Sequence, residues 1–309
     1  MFFSNMATAA QQVIILYILV AVGFLADRFH IFGQETAKKS NDFLFYIITP
    51  AVIVQSFMSM EFSVQTAGRF LLAFVLMAGT ITVGIFLAMP FFNKSGDNSA
   101  VFKYAVSYGN MGYMGLPLCH AILGSEGVFY CSAGVVAFNI ISFTHGIALM
   151  TKGSEKSGFS AKKLILNPGM ISVLIGLPLF VLGVKLPEII QVPVNHIASL
   201  NTPLAMVFLG TYIANSDLKQ MFKEKENYLV MLLKLIVLPL IMFGIFKVCG
   251  ISGKLLTACM ISASVPSATN TVMFAAKYGK DTGTASKTVA LSSVVSVLTM
   301  PVMIALSKL

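Results

Sequence analysis

Ten apolar stretches punctuate the chain, at residues 9–26, 38–58, 68–91, 100–123, 127–150, 167–184, 194–214, 228–248, 254–276 and 284–306, with polar turns between them. A helix that crosses a bilayer needs about 20 mostly apolar residues, and these runs have that length. They lack the strict apolar–polar alternation of a membrane β-barrel strand. Lipid offers no partner to a bare amide, so a helix, which satisfies its own backbone, is the expected spanning form. The pattern predicts an all-α membrane protein with ten transmembrane helices. The longest polar interruptions are residues 151–166 and 215–227, and the first divides the chain near its middle. No segment reads as a separate soluble domain.

Composition agrees. Of 309 residues, 57% are hydrophobic and 11% charged, with a mean hydropathy of +0.85. Soluble domains carry roughly 25% charged residues, so an ordinary water-soluble protein is excluded. The net charge of +9 would suggest nucleic acid in a soluble protein. Here the cations map to loops. With the N-terminus outside, fifteen of the 21 Lys and Arg fall on inner loops and helix ends. Five (Arg69, Lys185, Lys247, Lys254, Lys308) fall outside, and Lys234 lies within a span. Cytoplasmic loops collect cations, so both termini are expected on the non-cytoplasmic side of the cell (inner) membrane. The basic charge then needs no nucleic acid and favours anionic lipid headgroups. Cys119, Cys131, Cys249 and Cys259 show no C-x-x-C spacing and read as small buried thiols, with no metal site. The N-terminal MFFSNMATAAQQ has no basic segment ahead of an apolar stretch, so the first run is expected to stay as a helix.

The two halves repeat. Thr49-Pro50 in the second run matches Thr202-Pro203 in the seventh, each with Asp42 or Asn195 seven residues before the Thr. VGIF (Val83 to Phe86) in the third matches FGIF (Phe243 to Phe246) in the eighth. Pro117 in the fourth matches Pro266 in the ninth. The order is the same in both halves, with offsets of 153, 160 and 149 residues. Five spans is an odd number, so a duplicated unit inserts upside down, as in many secondary transporters. The expected division is a first five-helix repeat at 1–150, a cytoplasmic loop at 151–166 and a second repeat at 167–309.

Two stretches interrupt their helices. Ser107 to Leu118 holds Gly109, Gly112 and Gly115 beside Asn110 and Pro117, and Ser262 to Thr271 surrounds Pro266 with hydroxyls and an amide. Gly weakens a helix, and Pro removes a donor and clashes one turn back. One reading is a pair of satisfied kinks with small residues for close packing. The other is a pair of broken helices whose freed backbone lines a cavity. The breaks fall in corresponding helices of the two halves, which is the best sequence pointer to a transporter site. A half-helix N-terminus carries roughly +0.5 charge and bare N–H groups, and so favours an anion. No carboxylate falls at mid-membrane. Asp42 alone lies inside a span, near its inner end. That argues against an antiporter built on a central carboxylate pair and permits an anionic substrate.

Other polar positions carry two readings each. Asn139 and Ser142 face the crossing or form interhelical hydrogen bonds. His145 and His120 are interfacial histidines or proton carriers. Lys234 snorkels to the inner interface or draws an anion into an inner vestibule. Asp42 pairs with Lys38 or Lys39, or senses a coupling ion. Asn167-Pro168 reads as a helix cap and first-turn Pro.

The stretch Asn110-Met111-Gly112-Tyr113-Met114-Gly115-Leu116-Pro117-Leu118 resembles the N-x-x-x-M-G-[IL]-P-L motif in the fourth helix of the auxin efflux carrier family, which includes the plant PIN carriers and many bacterial PIN-like members. Val265-Pro266 followed by Met273 to Gly279 is similar to the family's ninth helix. The resemblance spans essentially the whole chain. It implies two inverted five-helix repeats with crossed broken helices 4 and 9, a fold like that of sodium–proton antiporters and bile-acid transporters. It also implies a crossing at Pro117 and Pro266, a scaffold of helices 1, 2, 6 and 7, and a transport domain of helices 3–5 and 8–10 that moves by an elevator. By motif position Asn110 is the foremost substrate contact. Candidate substrate-binding residues are Asn110, Gly112, Tyr113, Pro117, Pro266, Ser267, Thr269, Asn270 and Asn139. Asp42, His145 and Lys234 are candidates for coupling or gating. Bacterial members of the family look like carriers of small organic anions such as malate or malonate. The central loop is only about 15 residues, unlike the long regulatory loop of the plant carriers, so phosphorylation control of that kind is not expected. No cofactor or metal is called for, a coupling proton or sodium ion is left open, and so is a homodimer.

Among other classes, an intramembrane enzyme would need H-E-x-x-H, paired mid-span Asp or G-x-S-x-G, and none occurs. A G-x-x-x-x-G-K-[ST] loop for ATP is also lacking. A membrane receptor would leave the doubled, twice-broken pattern unexplained.

Overall fold

The computed structural model describes residues 2–93, 95–151, 165–215 and 224–308. Most of the expected loops at 151–166 and 215–227 lies outside the described residues. The described residues fold into helices α1 (Phe2–Arg28), α2 (Gln34–Phe43), α3 (Thr49–Met58), α4 (Val64–Ala88), α5 (Ser99–Ser107), α6 (Leu116–Ile141), α7 (Ile147–Thr151), α8 (Pro168–Val181), α9 (Glu188–Ser199), α10 (Asn201–Ala214), α11 (Lys225–Leu232), α12 (Leu238–Val248), α13 (Gly253–Ser264), α14 (Asn270–Lys277) and α15 (Thr282–Leu306). Among them the only strand-like pairing is an isolated antiparallel bridge between Gly109 and Ser267. Among the described residues, five continuous helical stretches are long and apolar enough to cross a membrane: Val64–Ala88, Met111–Thr151, Glu188–Thr211, Lys225–Val248 and Thr282–Leu306. Leu44–Met58 and Pro168–Val181 are shorter and also apolar. Large apolar side chains such as Ile18, Leu71, Ile175 and Leu240 face outward. Such a surface is untenable in water and suits lipid. The chain is an integral membrane protein built of helices.

Three helices are widened by a π turn just ahead of a proline. The π turns are Leu44–Ile48, Met111–Gly115 and Leu233–Val237, and each is followed two residues on by Pro50, Pro117 or Pro239. In each, the residue before the proline donates five residues back: Thr49 to Leu44, Leu116 to Met111, Leu238 to Leu233. Proline cannot donate to the carbonyl one turn back and collides with it in a regular α-helix. The wider turn removes that conflict and keeps the helix continuous.

The boundaries differ from the apolar runs in definite ways. The fourth and fifth runs are joined without a loop. The chain turns at Gly124 inside α6, where φ 66° and ψ −153° form a backbone state open essentially to glycine alone. The seventh run begins earlier than its apolar pattern, as α9 from Glu188, and continues into α10 through a single joint at Leu200.

Small residues let the helices approach. α1 packs on α10. A Cβ on Gly23 would strike the Val207 carbonyl, and one on Gly210 the Val20 carbonyl. α3 lies against α8, where a Cβ on Gly176 would sit 2.6 Å from the Phe57 ring. This is how membrane helices associate when lipid is as apolar as their side chains. Phe57, Phe70, Phe129 and Phe180 form one aromatic cluster with ring centroids 5.0–6.2 Å apart. Gln55 donates to the Asn195 amide oxygen at 2.8 Å, linking α3 to α9 across the two halves of the sequence.

Candidate functional site at the paired helix breaks

Both glycine- and proline-bearing stretches are breaks. α5 stops at Ser107, Tyr108 is extended (φ −111°, ψ 115°), Asn110 leaves the helical region (φ −77°, ψ 68°), and helix resumes at Met111. α13 stops at Ser264, Val265 is extended (φ −60°, ψ 144°), and helix resumes at Asn270. The two breaks lie against each other. The Asn110 amide donates to the Pro266 carbonyl at 2.8 Å, and the Ala268 amide donates to the Tyr108 carbonyl at 2.9 Å. Backbone groups freed by the breaks thus find partners in the opposite break, which is the condition for irregular backbone inside a membrane. Nearby hydroxyls take up other carbonyls: Ser264 bonds Met260 at 2.6 Å, Thr271 bonds Ala268 at 2.6 Å, and Ser107 bonds Lys103 at 2.7 Å. The Ser267 amide donates to the Ser292 hydroxyl at 3.2 Å, while its own hydroxyl is buried without a hydrogen-bond partner among the described residues. Gly109 sits at the bridge because nothing larger fits. A Cβ there would lie 2.6 Å from Val265 Cγ2 and 3.0 Å from Lys234 Nζ.

A cleft opens on one side of the crossing. Its polar lining is neutral: Asn110, Tyr113, Asn139, Asn167, Asn270 and Thr49, with Phe45 and Phe138 as apolar walls. Phe45 and Tyr113 stack at 6.4 Å between centroids. The Asn139 amide donates to Asn167 Oδ1 at 3.1 Å, and the same oxygen accepts the Gly169 amide at 2.9 Å as the cap of α8. Asn110 Oδ1 accepts the Tyr113 amide at 3.3 Å. Among the described residues no carboxylate borders the cleft. Amide groups and helix starts, without a fixed negative charge, favour an anion over a cation.

Of the residues expected from the sequence, Asn110, Gly112, Tyr113, Asn139 and Asn270 line the cleft together. Pro117 lies buried in the first turn of α6, and Thr269 half-buried just ahead of α14. Pro266 and Ser267 sit in the crossing itself and contribute backbone to it. Asn139 satisfies both of its readings, since it bonds Asn167 across helices and borders the cleft. Ser142 instead bonds the Tyr104 hydroxyl at 2.7 Å. His145 Nδ1 lies 2.9 Å from the Tyr108 hydroxyl, which ties it to the first break. His120 is half-buried beyond that break.

Asp42 is exposed on α2, and Lys39, one of its two expected partners, pairs with Glu35 at 2.8 Å; the i,i+4 spacing on one helix face brings those two together. One reading needs correction. Lys234 does not reach the interface. It is 1% exposed, because the π turn that carries it faces the crossing. Asn167 is more than a helix cap, since its side chain also borders the cleft. Phe45 and Thr49 also line the cleft, and their sequence pattern does not single them out for it. The Thr49-Pro50 pair had marked the second helix as special, but nothing in its pattern shows which way that helix faces.

A polytopic helical protein with a neutral polar cleft at two paired helix breaks belongs to the membrane carriers in its general class. The chain matches the membrane transport protein family over residues 8–304 and belongs to it; this is the family of the auxin efflux carriers. An uncharacterized transporter of Methanocaldococcus jannaschii is 26% identical over 295 residues, covering 93% of this chain and 94% of that one. A protein of Rhizobium meliloti named "Putative malonate transporter" is 24% identical over 308 residues, covering 96% and 94%. The auxin efflux carrier component 8 of Arabidopsis thaliana is 20% identical over 321 residues, covering 85% and 87%. The family and these relatives are transporters and not enzymes.

Proposed function

We propose that this protein is a secondary carrier of small organic anions, of the malonate or malate class, working by elevator-type alternating access. The observation that carries the reading is the cleft at the crossing, where amides and two helix starts converge and no carboxylate of the described residues lies beside them. The name of the Rhizobium relative points to the same substrate class.

The helices group into ten spans in this reading: α1, α2 with α3, α4, α5 with α6 to Gly124, the rest of α6 with α7, α8, α9 with α10, α11 with α12, α13 with α14, and α15. The first five and last five are two inverted repeats, and the two breaks are equivalent positions in them. Packing supports a division of labour. α1 lies on α10, and α3 lies on both α8 and α9, which makes a scaffold. α4 lies on α5 and α6, and α13 and α14 lie on α15, which makes the transport domain. The distribution of cations supports both termini lying on the non-cytoplasmic face of the cell membrane.

Asn110, Tyr113, Asn139 and Asn270 bind the carboxylate in this scheme, with Asn110 foremost. Uptake of radiolabelled malonate into proteoliposomes tests it. A hydrogen bond to a charged group is worth about 1.5–3 kcal/mol, so Asn110→Ala is expected to weaken transport roughly 10- to 150-fold with normal membrane insertion. Wild-type rates in Asn110→Ala would show that the site is misplaced. Counterflow with and without a pH or sodium gradient identifies the coupling ion.

A further inference from the structure

Lys234 lies well inside the apolar run 228–248, away from its ends, and the structure buries it at 1% exposure behind the crossing. It sits in the π turn Leu233–Val237 between buried Leu233 and Leu235. The ion pairs of the described residues join Lys39 to Glu35, Lys254 to Glu126 and Lys287 to Glu224, and none reaches Lys234. Its ammonium lies against Gly109, where a Cβ would come within 3.0 Å of Nζ. Gly109 also borders the cleft. One glycine, with no side chain, is therefore the wall between a buried positive charge and the space where a substrate binds.

A buried charge without a partner costs several kcal/mol of desolvation, and proteins rarely keep one without a use. A lone ammonium beside a cleft with neutral lining is stabilised when negative charge arrives on the other side of the wall. Attraction through low-dielectric protein is far stronger than through water, and it scales with the charge of the ligand. Gly109 makes this geometry possible, since any larger residue would push the ammonium away and thicken the wall.

We propose that Lys234 is the charge-selecting residue of the cleft: its ammonium, held behind Gly109 without a carboxylate partner among the described residues, makes the site prefer dianions to monoanions of the same shape. This rests on the cleft being an anion site, and adds the substrate's charge class to it. Lys234 is a positioning charge that acts through the wall.

The test compares malonate, a dianion near neutral pH, with malonamate, which has nearly the same shape and one charge less. Uptake of labelled malonate into proteoliposomes, competed by each unlabelled compound, gives two affinities for wild type, Lys234→Met and Lys234→Arg. Wild type is expected to prefer malonate by about tenfold or more, in Lys234→Met the ratio falls towards unity, and Lys234→Arg keeps most of it. Lys234→Met removes a buried charge in favour of an apolar side chain of similar length, a change that is commonly neutral or stabilising, so a folded protein is expected. Monodispersity and thermal unfolding of each variant check this. Equal weakening for both compounds in Lys234→Met, or an unchanged ratio, overturns the role of Lys234 and leaves the anion site standing. Failure of wild type to take up or bind either compound overturns the anion site, and Lys234's role with it.

Discussion

The tightest point of the crossing offers a sharp test. Gly109→Ala adds one methyl group where Val265 Cγ2 lies 2.6 Å away and Lys234 Nζ 3.0 Å away. The backbone of Gly109 is outside the left-handed region, so alanine fits its conformation and only space is at issue. The lysine end is flexible and can retreat. Val265 cannot do so easily, because a β-branched side chain is stiff at its first torsion. It also immediately precedes Pro266, whose carbonyl accepts the Asn110 amide. Relief therefore pulls the two breaks apart and strains the Asn110–Pro266 and Ala268–Tyr108 bonds. Overpacking of this kind costs about 1–3 kcal/mol, and loss of one backbone bond adds about 0.5–1.5 kcal/mol. The measurement is thermal unfolding in detergent together with malonate uptake, for Gly109→Ala, Val265→Ala and the pair. The double variant removes Cγ2, so it should recover most of what Gly109→Ala loses, with a coupling energy of about 1 kcal/mol or more. A Gly109→Ala protein as stable and as active as wild type would refute the reasoning. So would additive losses in the double variant, since they place the damage somewhere other than Val265.

Two further outcomes follow from the helix ends and interfaces. Asp281 caps α15 by accepting the Gly283 and Thr284 amides at 2.8 and 3.2 Å, and the Thr284 hydroxyl at 2.7 Å. The Thr284 bonds above all hold its carboxyl below the usual Asp range. Its contribution is therefore present above the unfolded-state pKa and is lost as pH falls through the lower, folded-state one. Asp281→Ala should cost about 1 kcal/mol near neutral pH and flatten the acid-side decline of thermal stability, and an unaltered pH profile would count against the cap. Gly210→Ala places a methyl group into the Val20 carbonyl of α1, backbone against backbone, so α1 and α10 must separate. A loss of about 1–3 kcal/mol is expected, read as a lowered unfolding temperature; no change would mean that the two helices are held apart by other contacts.

The crossing was legible because its chemistry is local. Gly109 and Gly112 in one half and Pro266 in the other weaken a helix wherever it runs, and the lipid environment makes such breaks conspicuous. Which side chains then share the cleft was only partly legible. Asn110, Tyr113, Asn139 and Asn270 declare themselves as amides or amphipathic rings in apolar runs. Asn167 hid behind its role as a cap, and Phe45 and Thr49 behind the uniform apolarity of their helix. Within a membrane, lipid-facing and protein-facing residues are alike in hydrophobicity, so the direction a face points is weakly encoded. Lys234 shows the same difficulty: whether a lysine stem runs to the interface or into the protein depends on neighbours distant in sequence. The joint at Gly124 could have been anticipated from a glycine between two apolar runs, but its single-residue sharpness could not.

The widened turns ahead of Pro50, Pro117 and Pro239 have a consequence for how sequences of this kind are compared. An α-helix advances 3.6 residues per turn, so one surplus residue rotates everything downstream by about 100°. Heptad or moment arguments carried across Leu44–Ile48, Met111–Gly115 or Leu233–Val237 therefore point to the wrong side of the helix. A homologue that has dropped the proline is expected to have dropped a single neighbouring residue as well. Such paired losses, appearing as one-position gaps inside an otherwise ungapped span, would be the evolutionary footprint of this construction.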